Sequence, residues 1–263
     1  MSDMKDLLYP EDPATPKDAY VSVRAAMAKP QPKRFYTEVS LEAVDGGFAI
    51  LLDGKRARTP GRALLALRTR AAAEQVAAEW AAQDKVIDPA NMHATRIANV
   101  GIDRIGAVRE EVLDDIARYA ASDLVCYRAE GPDGLVAREN AAWTPILDHV
   151  KARYGAPFVL AAGIGFQRQP ETAIAAVRAA FARIGDPVAL AGAQTLVTLA
   201  GSALIPLALI DGALAAEAAF DATSVEEDWN THLWGEDSEA AHRRARRRAE
   251  FLAAAGLFRA LAA

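Results

Sequence analysis

Between residues 34 and 67 apolar and polar positions alternate. Phe35, Val39, Leu41 and Ala43 mark one side of an extended segment, and Phe48-Ala49-Ile50-Leu51-Leu52 follows as a short apolar run. Asp45-Gly46-Gly47 and Asp53-Gly54 interrupt these runs. Asp-Gly reaches positive φ at little cost, as tight hairpins require. The pattern predicts an antiparallel meander of three or four strands, the last from Lys55–Arg58 and Ala63–Leu67. At Thr69 the period changes to that of a helix. Ala72, Ala73, Val76, Ala77 and Trp80 share one face, with Arg70, Glu74, Gln75 and Glu79 opposite and Thr69 as N-cap. A helix of this kind covers the apolar side of a small sheet.

Beyond Asp88-Pro89 the period is helical almost throughout. Ile97, Ala98, Ile102 and Ile105 form one apolar face; Val112, Leu113, Ile116 and Ala120 form the next. Trp143, Leu147, Val150 and Tyr154 repeat likewise up to Gly155, as do Ile174, Val177, Phe181 and Ile184 up to Gly185. From Pro187 to Ile210 no residue is charged. Gly192, Gln194, Thr195, Thr198, Gly201, Ser202 and Pro206 dilute this stretch, so it reads as a buried helix pair broken at Gly201-Ser202, not as a membrane span. Ser224 and Glu227 have capping-box spacing for a short helix, and Asp237 or Ser238 starts the last one, which buries Phe251, Ala255 and Phe258.

The expected fold is therefore α+β: a small N-terminal antiparallel sheet with a covering helix, followed by an all-helical C-terminal bundle. Residues 1–33, with prolines at 10, 13, 16, 30 and 32, read as a weakly ordered arm. Residues 34–90 form the α/β part and residues 91–263 the helical part.

Composition adds mainly exclusions. The chain is 52% hydrophobic and 25% charged with a net charge of -5, which does not suit a dedicated nucleic-acid binder. Cys126 stands alone, so a reducing compartment and a core thiol are expected. Asp3, Asp6, Glu11 and Asp12 in the first turns of chain fit neither a secretory signal nor a transit peptide, and the expected location is the cytoplasm. No phosphate-cradling loop, nucleophile elbow or metal-ligand pattern occurs, and Gly163-Ile-Gly165 lacks the third glycine of a dinucleotide loop. The four histidines show no ligand spacing, so neither metal nor cofactor is expected.

Two groupings of polar residues remain. Arg96, Asn99 and Asp103 recur at i, i+3 and i+7, a polar stripe that serves either as a hydrogen-bond network between the two parts or as a binding surface. Ser224–Arg248 gathers Trp229, Trp234, six carboxylates and five arginines. Capping accounts for Glu226 and Glu227 at one helix start and for Glu236, Asp237 and Glu239 at the next; a solvated face accounts for the arginines, and core packing for the tryptophans. The alternative functional reading is an enzyme with Arg96, Asp103, Glu226 and Glu227 converging in an interdomain cleft, where paired carboxylates do acid–base work.

The chain also resembles a known family. Arg34-Phe35-Tyr36, Gly47–Gly54, Arg58-Thr59-Pro60, Ala78-Glu79-Trp80, Ile87-Asp88-Pro89, Thr95–Asn99, Ile102-Asp103-Arg104, Tyr119 and Asp123–Arg128 carry the resemblance. Trp143, Gly201-Ser202, Glu226-Glu227 and Trp234–Asp237 complete it. In this order, over residues 34–262, they resemble the assembly chaperones of F-type ATP synthase that bind the free α subunit of the catalytic head. The resemblance implies an α/β N-terminal and a helical C-terminal domain, no enzymatic activity and no nucleotide of its own. It implies a chaperone that shields the apolar interface of α until the β subunit replaces it, and a monomer is the expected state of the free protein. Its expected partner-contacting residues are Glu226, Glu227, Asn230, Trp234, Gly235, Glu236 and Asp237, with Asn230 standing where relatives usually carry Gln. The absence of a presequence at the N-terminus points to a bacterial relative.

Overall fold

The computed structural model describes residues 32–163 and 165–262; the expected arm thus lies almost wholly outside the described residues. Strands β1 (Val39–Val44) and β2 (Gly47–Leu52) form the first hairpin, with Val44 opposite Gly47 across a two-residue turn. β3 (Lys55–Arg56) returns along the other edge of β2 through Asp53-Gly54, both at positive φ. β4 (Ala66–Leu67) shares that edge further along, opposite Phe48 and Ala49. The sheet is thus four-stranded and antiparallel, with β2 at its centre. Its apolar face is covered by α1 (Arg70–Ala81), whose N-terminal backbone is capped by Thr69.

The rest is helical, with one addition. Tyr127–Arg128 (β5) and Ala161–Ala162 (β6) pair in parallel, a two-stranded contact too short for period-2 patterning to reveal. The helices are α2 (His93–Val100), α3 (Gly106–Ala121), α4 (Asp133–Tyr154), α5 (Glu171–Ala182), α6 (Pro187–Ala200) and α7 (Leu204–Ile210). They continue with α8 (Ala216–Ala222), α9 (Val225–Trp234) and α10 (Ser238–Ala262). One apolar cluster runs from Ile50 and Leu67 in the sheet through Trp143 and Phe181 to Leu257 and Leu261 at the chain's end. The sheet layer is therefore fused to the helices through a shared core, with α1 packing on both α2 and α10.

The uncharged stretch is the helix pair that its sequence predicts. No described helix is long and apolar enough to cross a membrane. Gly201, in the left-handed region at φ 63°, ends α6, and Ser202 Oγ accepts from the backbone of Leu204 and Ile205 to start α7. The turn is closed from outside by Asp123, which is fully buried and accepts from the N–H groups of Val125, Ala203 and Leu204. Burial pushes its carboxyl up to about 6 against these hydrogen bonds. Cys126 beside it is buried too, and burial pushes its thiol up to about 12, which makes it an inert core residue.

Between α2 and α3 the chain makes a wider π turn, Gly101–Ile105. A Cβ on Gly101 would lie 2.5 Å from Val188 Cα, so only glycine lets this turn press against the start of α6. The extra width has a consequence for the polar stripe. A residue past a π turn is rotated off the face that simple helical spacing assigns to it.

Candidate functional site

The stripe splits at that turn. Asp103 reaches across to the loop before β4 and accepts from Thr59 Oγ1 and from Gly61 N–H at 2.8 Å. It fastens the sheet layer to the helices, which is the network role. Arg96 turns the other way and pairs with Glu250 of α10, with His93 Nδ1 3.1 Å from the same guanidinium nitrogen. Asn99 lines a pocket between α2, α6 and α10 together with Arg96 and Glu250, and neither Asp103 nor Glu226 nor Glu227 borders it. The convergence needed for acid–base chemistry is thus not formed: Glu227 is bound instead by Arg247.

The second grouping does form one surface. α9 is a short helix whose Trp229 lies over the first turn of α4. A Cβ on Gly134 would come within 2.7 Å of the indole, and the Arg138 guanidinium lies over the ring at 5.0 Å from its centre. Trp229 is therefore a half-buried anchor that fixes α9 to α4. The negative charge of Glu226 reaches the buried Glu139 of α4. Burial raises the Glu139 carboxyl above its ordinary range, and Glu226 adds to the rise while the Ala129 N–H opposes it.

α10 supplies the counter-charges. Arg244 pairs with Asp228, and Arg247 Nη2 donates to Glu227 Oε2 at 2.7 Å and to Ser224 Oγ at 3.0 Å. Arg247 also lies 5.7 Å above the Phe220 ring. The arginine run is therefore divided. Arg244 and Arg247 bind α9, whereas Arg243, Arg246 and Arg248 face solvent. The capping box expected for Ser224 and Glu227 does not form. The Ser224 hydroxyl caps no backbone N–H, and the Ser224 N–H is taken by Asp221 O. Two residues separate α8 from α9, so the end of one helix occupies the donor, and Arg247 draws both side chains away. At α10 the expected cap is present: Asp237 accepts from Glu239 N–H at 3.0 Å.

Trp234 is not a core residue. At the end of α9 it is 83% exposed, beside Leu233 at 51%. Gly235 (φ 87°) then turns the chain into Glu236 and Asp237, both exposed. Asn230 and Glu226 are exposed as well. Glu226, Glu236 and Asp237 have no ion-pair partner among the described residues. The result is an aromatic and aliphatic pair followed at once by two unneutralised carboxylates, Glu236 and Asp237, with Glu226 about two turns away at the start of α9. The family resemblance singled out Trp234 and the acids, which spacing alone read as core and caps; Leu233 was singled out by neither. The available signal was the adjacency of two large apolar residues at a helix end, followed at once by Gly235-Glu236-Asp237.

Spacing also missed carboxylates that build the frame. Glu79 was placed on the polar face of α1. Its two oxygens accept from Ala94 N–H, Thr95 N–H and Thr95 Oγ1, each at 2.7 Å, and so cap α2. Such long-range caps leave no local pattern.

Fold and surface together define a helical molecule built on a small sheet, with an exposed apolar end on α9 and no assembled catalytic cluster among the described residues. Residues 33–151 match the family model described as ATP12 chaperone protein. A candidate chaperone from Agrobacterium tumefaciens is 40% identical over 98% of this chain and 95% of its own, with a TM-score of 0.84. Atp12 from Paracoccus denitrificans is 33% identical over 88% of this chain and 98% of its own, at a TM-score of 0.80; a mutant of it with one aspartate replaced by lysine matches equally well. This chain belongs to the ATP12 chaperone family, the ATP synthase assembly chaperones that residues 34–262 resemble.

Proposed function

We propose that this chaperone binds the free α subunit of F-type ATP synthase through the end of α9 and the α9–α10 turn, and holds it until the β subunit takes its place. The observation that supports this reading is Trp234, 83% exposed beside Leu233 and followed at once by the exposed Glu236 and Asp237, with Glu226 exposed at the other end of the same helix. An unassembled subunit exposes apolar surface destined for its neighbour, and such surface drives aggregation. Covering the two apolar side chains against it would contribute about 3 kcal/mol. The carboxylates select a client patch edged with Lys or Arg and speed its encounter. A small contact of this kind is weaker than a permanent subunit interface, so β can displace the chaperone. Asn230 and Glu227 flank the contact, and Glu227 acts chiefly by holding α9 to Arg247.

The test is co-elution of the purified protein with isolated α subunit, together with light scattering of α alone and in mixture. Binding and suppressed aggregation are expected, both lost in Trp234→Ala combined with Glu226→Lys. The reading fails if the wild-type protein neither binds α nor slows its aggregation.

A further inference from the structure

The pocket between α2, α6 and α10 encloses about 280 Å³ and lies apart from α9. Ile97, Val100, Ala191 and Leu199 give it apolar walls. Its one charged pair, Arg96 and Glu250, is mutually neutralised. Asn99 is the exception to this economy. Its carboxamide makes no hydrogen bond among the described residues, and its Oδ1 is buried without a partner. A buried carbonyl oxygen without a donor costs free energy, and in a native protein it calls for a partner. The neighbouring polar side chains do not supply one: Thr195 Oγ1 is spent on Ala191 O at 2.9 Å, and Arg96 on Glu250 and His93.

We infer that this pocket is a binding site for a small neutral compound with an apolar body and an amide-like edge, a donor beside an acceptor, which pairs with the Asn99 carboxamide. Each property follows from a feature of the pocket. Neutrality follows from the cancelled charges, since an ionised ligand would be desolvated without a free counter-charge. The apolar body follows from the walls. The size, at the lower edge of the ~300–1,000 Å³ typical of small-molecule sites, restricts the ligand to one or two rings. The edge follows from Asn99, because a carboxamide offers one acceptor and two donors in a plane. Presenting both ends to the ligand takes rotation of the Asn99 amide about its soft Cβ–Cγ torsion. The site does not depend on the client-binding reading, as it shares no residue with the α9 surface.

The test uses 2-quinolone, a two-ring lactam with adjacent N–H and C=O, and its N-methyl analogue, which keeps the rings and loses the donor. Both are titrated into the uniformly ¹⁵N-labelled full chain and followed by amide chemical shifts. Saturable shifts at Val100, Thr195, Thr198 and Leu199 are expected with 2-quinolone, and about fivefold weaker binding of the N-methyl compound. Asn99→Leu removes that difference. Thr198→Trp fills the mouth of the pocket from an exposed position and abolishes binding of both, so the result does not hang on one variant. The proposal is overturned by an absence of saturable shifts up to millimolar probe, by shifts confined to other regions, or by equal affinity of the two probes for the wild-type chain.

Discussion

Pro187–Ile210 and Val225–Arg248 are similar in length and opposite in design. The first has no charged residue and is almost entirely buried, yet it depends on a charge supplied from elsewhere. Its turn is tied by Asp123, which lies some eighty residues earlier. The second is dense in charge and mostly exposed. Its charges are partly spent on one another, Asp228 on Arg244 and Glu227 on Arg247, while two of its large apolar residues, Leu233 and Trp234, stand in solvent. The contrast shows where this protein places stability and where it places recognition. The core segment has the backbone of its turn bound by Asp123 and Ser202; the α9–α10 segment leaves both apolar area and carboxylates available to a partner.

The contrast can be broken most forcefully at Asp123. Asp123→Ala leaves the N–H groups of Val125 and Ala203 buried without an acceptor and takes from Leu204 N–H one of its two, the other being Ser202 Oγ, and a loss of about 4 kcal/mol in urea unfolding is expected. A loss under 1 kcal/mol would show that the turn stands without it.

The second test is pH. The folded-state pKa of Asp123, about 6, lies above its unfolded value of 3.8, so the folded protein holds the extra proton between those values. Stability from this group is fully present below about pH 4 and is lost as pH rises through about 6. The loss amounts to about 3 kcal/mol at most. Comparison of the pH dependence of unfolding with that of Asp123→Asn isolates the effect; identical slopes would refute it.

A smaller effect is expected at Arg247. Arg247→Ala removes the contacts to Ser224 and Glu227 and the stacking on Phe220, at a cost of about 1 kcal/mol in thermal or urea unfolding. Client binding should fall more than stability, because α9 loses its tie to α10. The smallest change in stability is expected for Trp234→Ala and Glu226→Lys, within about 0.5 kcal/mol of wild type, as each is exposed. If either unfolds the protein, α9 belongs with the core and the contrast collapses.

Much of the fold was legible in local pattern. Alternation located β1 and β2, the Asp-Gly pairs located both hairpin turns, and helical spacing located the faces centred on Val76, Trp143 and Phe181. The break at Gly201-Ser202 was readable because glycine followed by a capping hydroxyl is a local signal. The family was readable because its residues recur in order along the chain. The functional surface was readable only in part. Spacing brought Glu226 and Trp234 to one short helix, but it read Ser224 as a cap and left Trp234 a candidate for the core.

What the sequence determined by itself is what one or two turns of chain can encode: periods, hairpins, helix ends and the identity of the family. Tertiary structure decided which side chains meet. Asp103 and Asn99 share a stripe by count, but a π turn pressed against Val188 sends one to the sheet and the other to a pocket. Arg247 takes over Ser224 and Glu227 from a helix twenty residues on, and Asp123 and Glu79 cap turns that their neighbours in sequence never reach. A buried polar group must find a partner wherever the fold offers one, and no local rule fixes where that is.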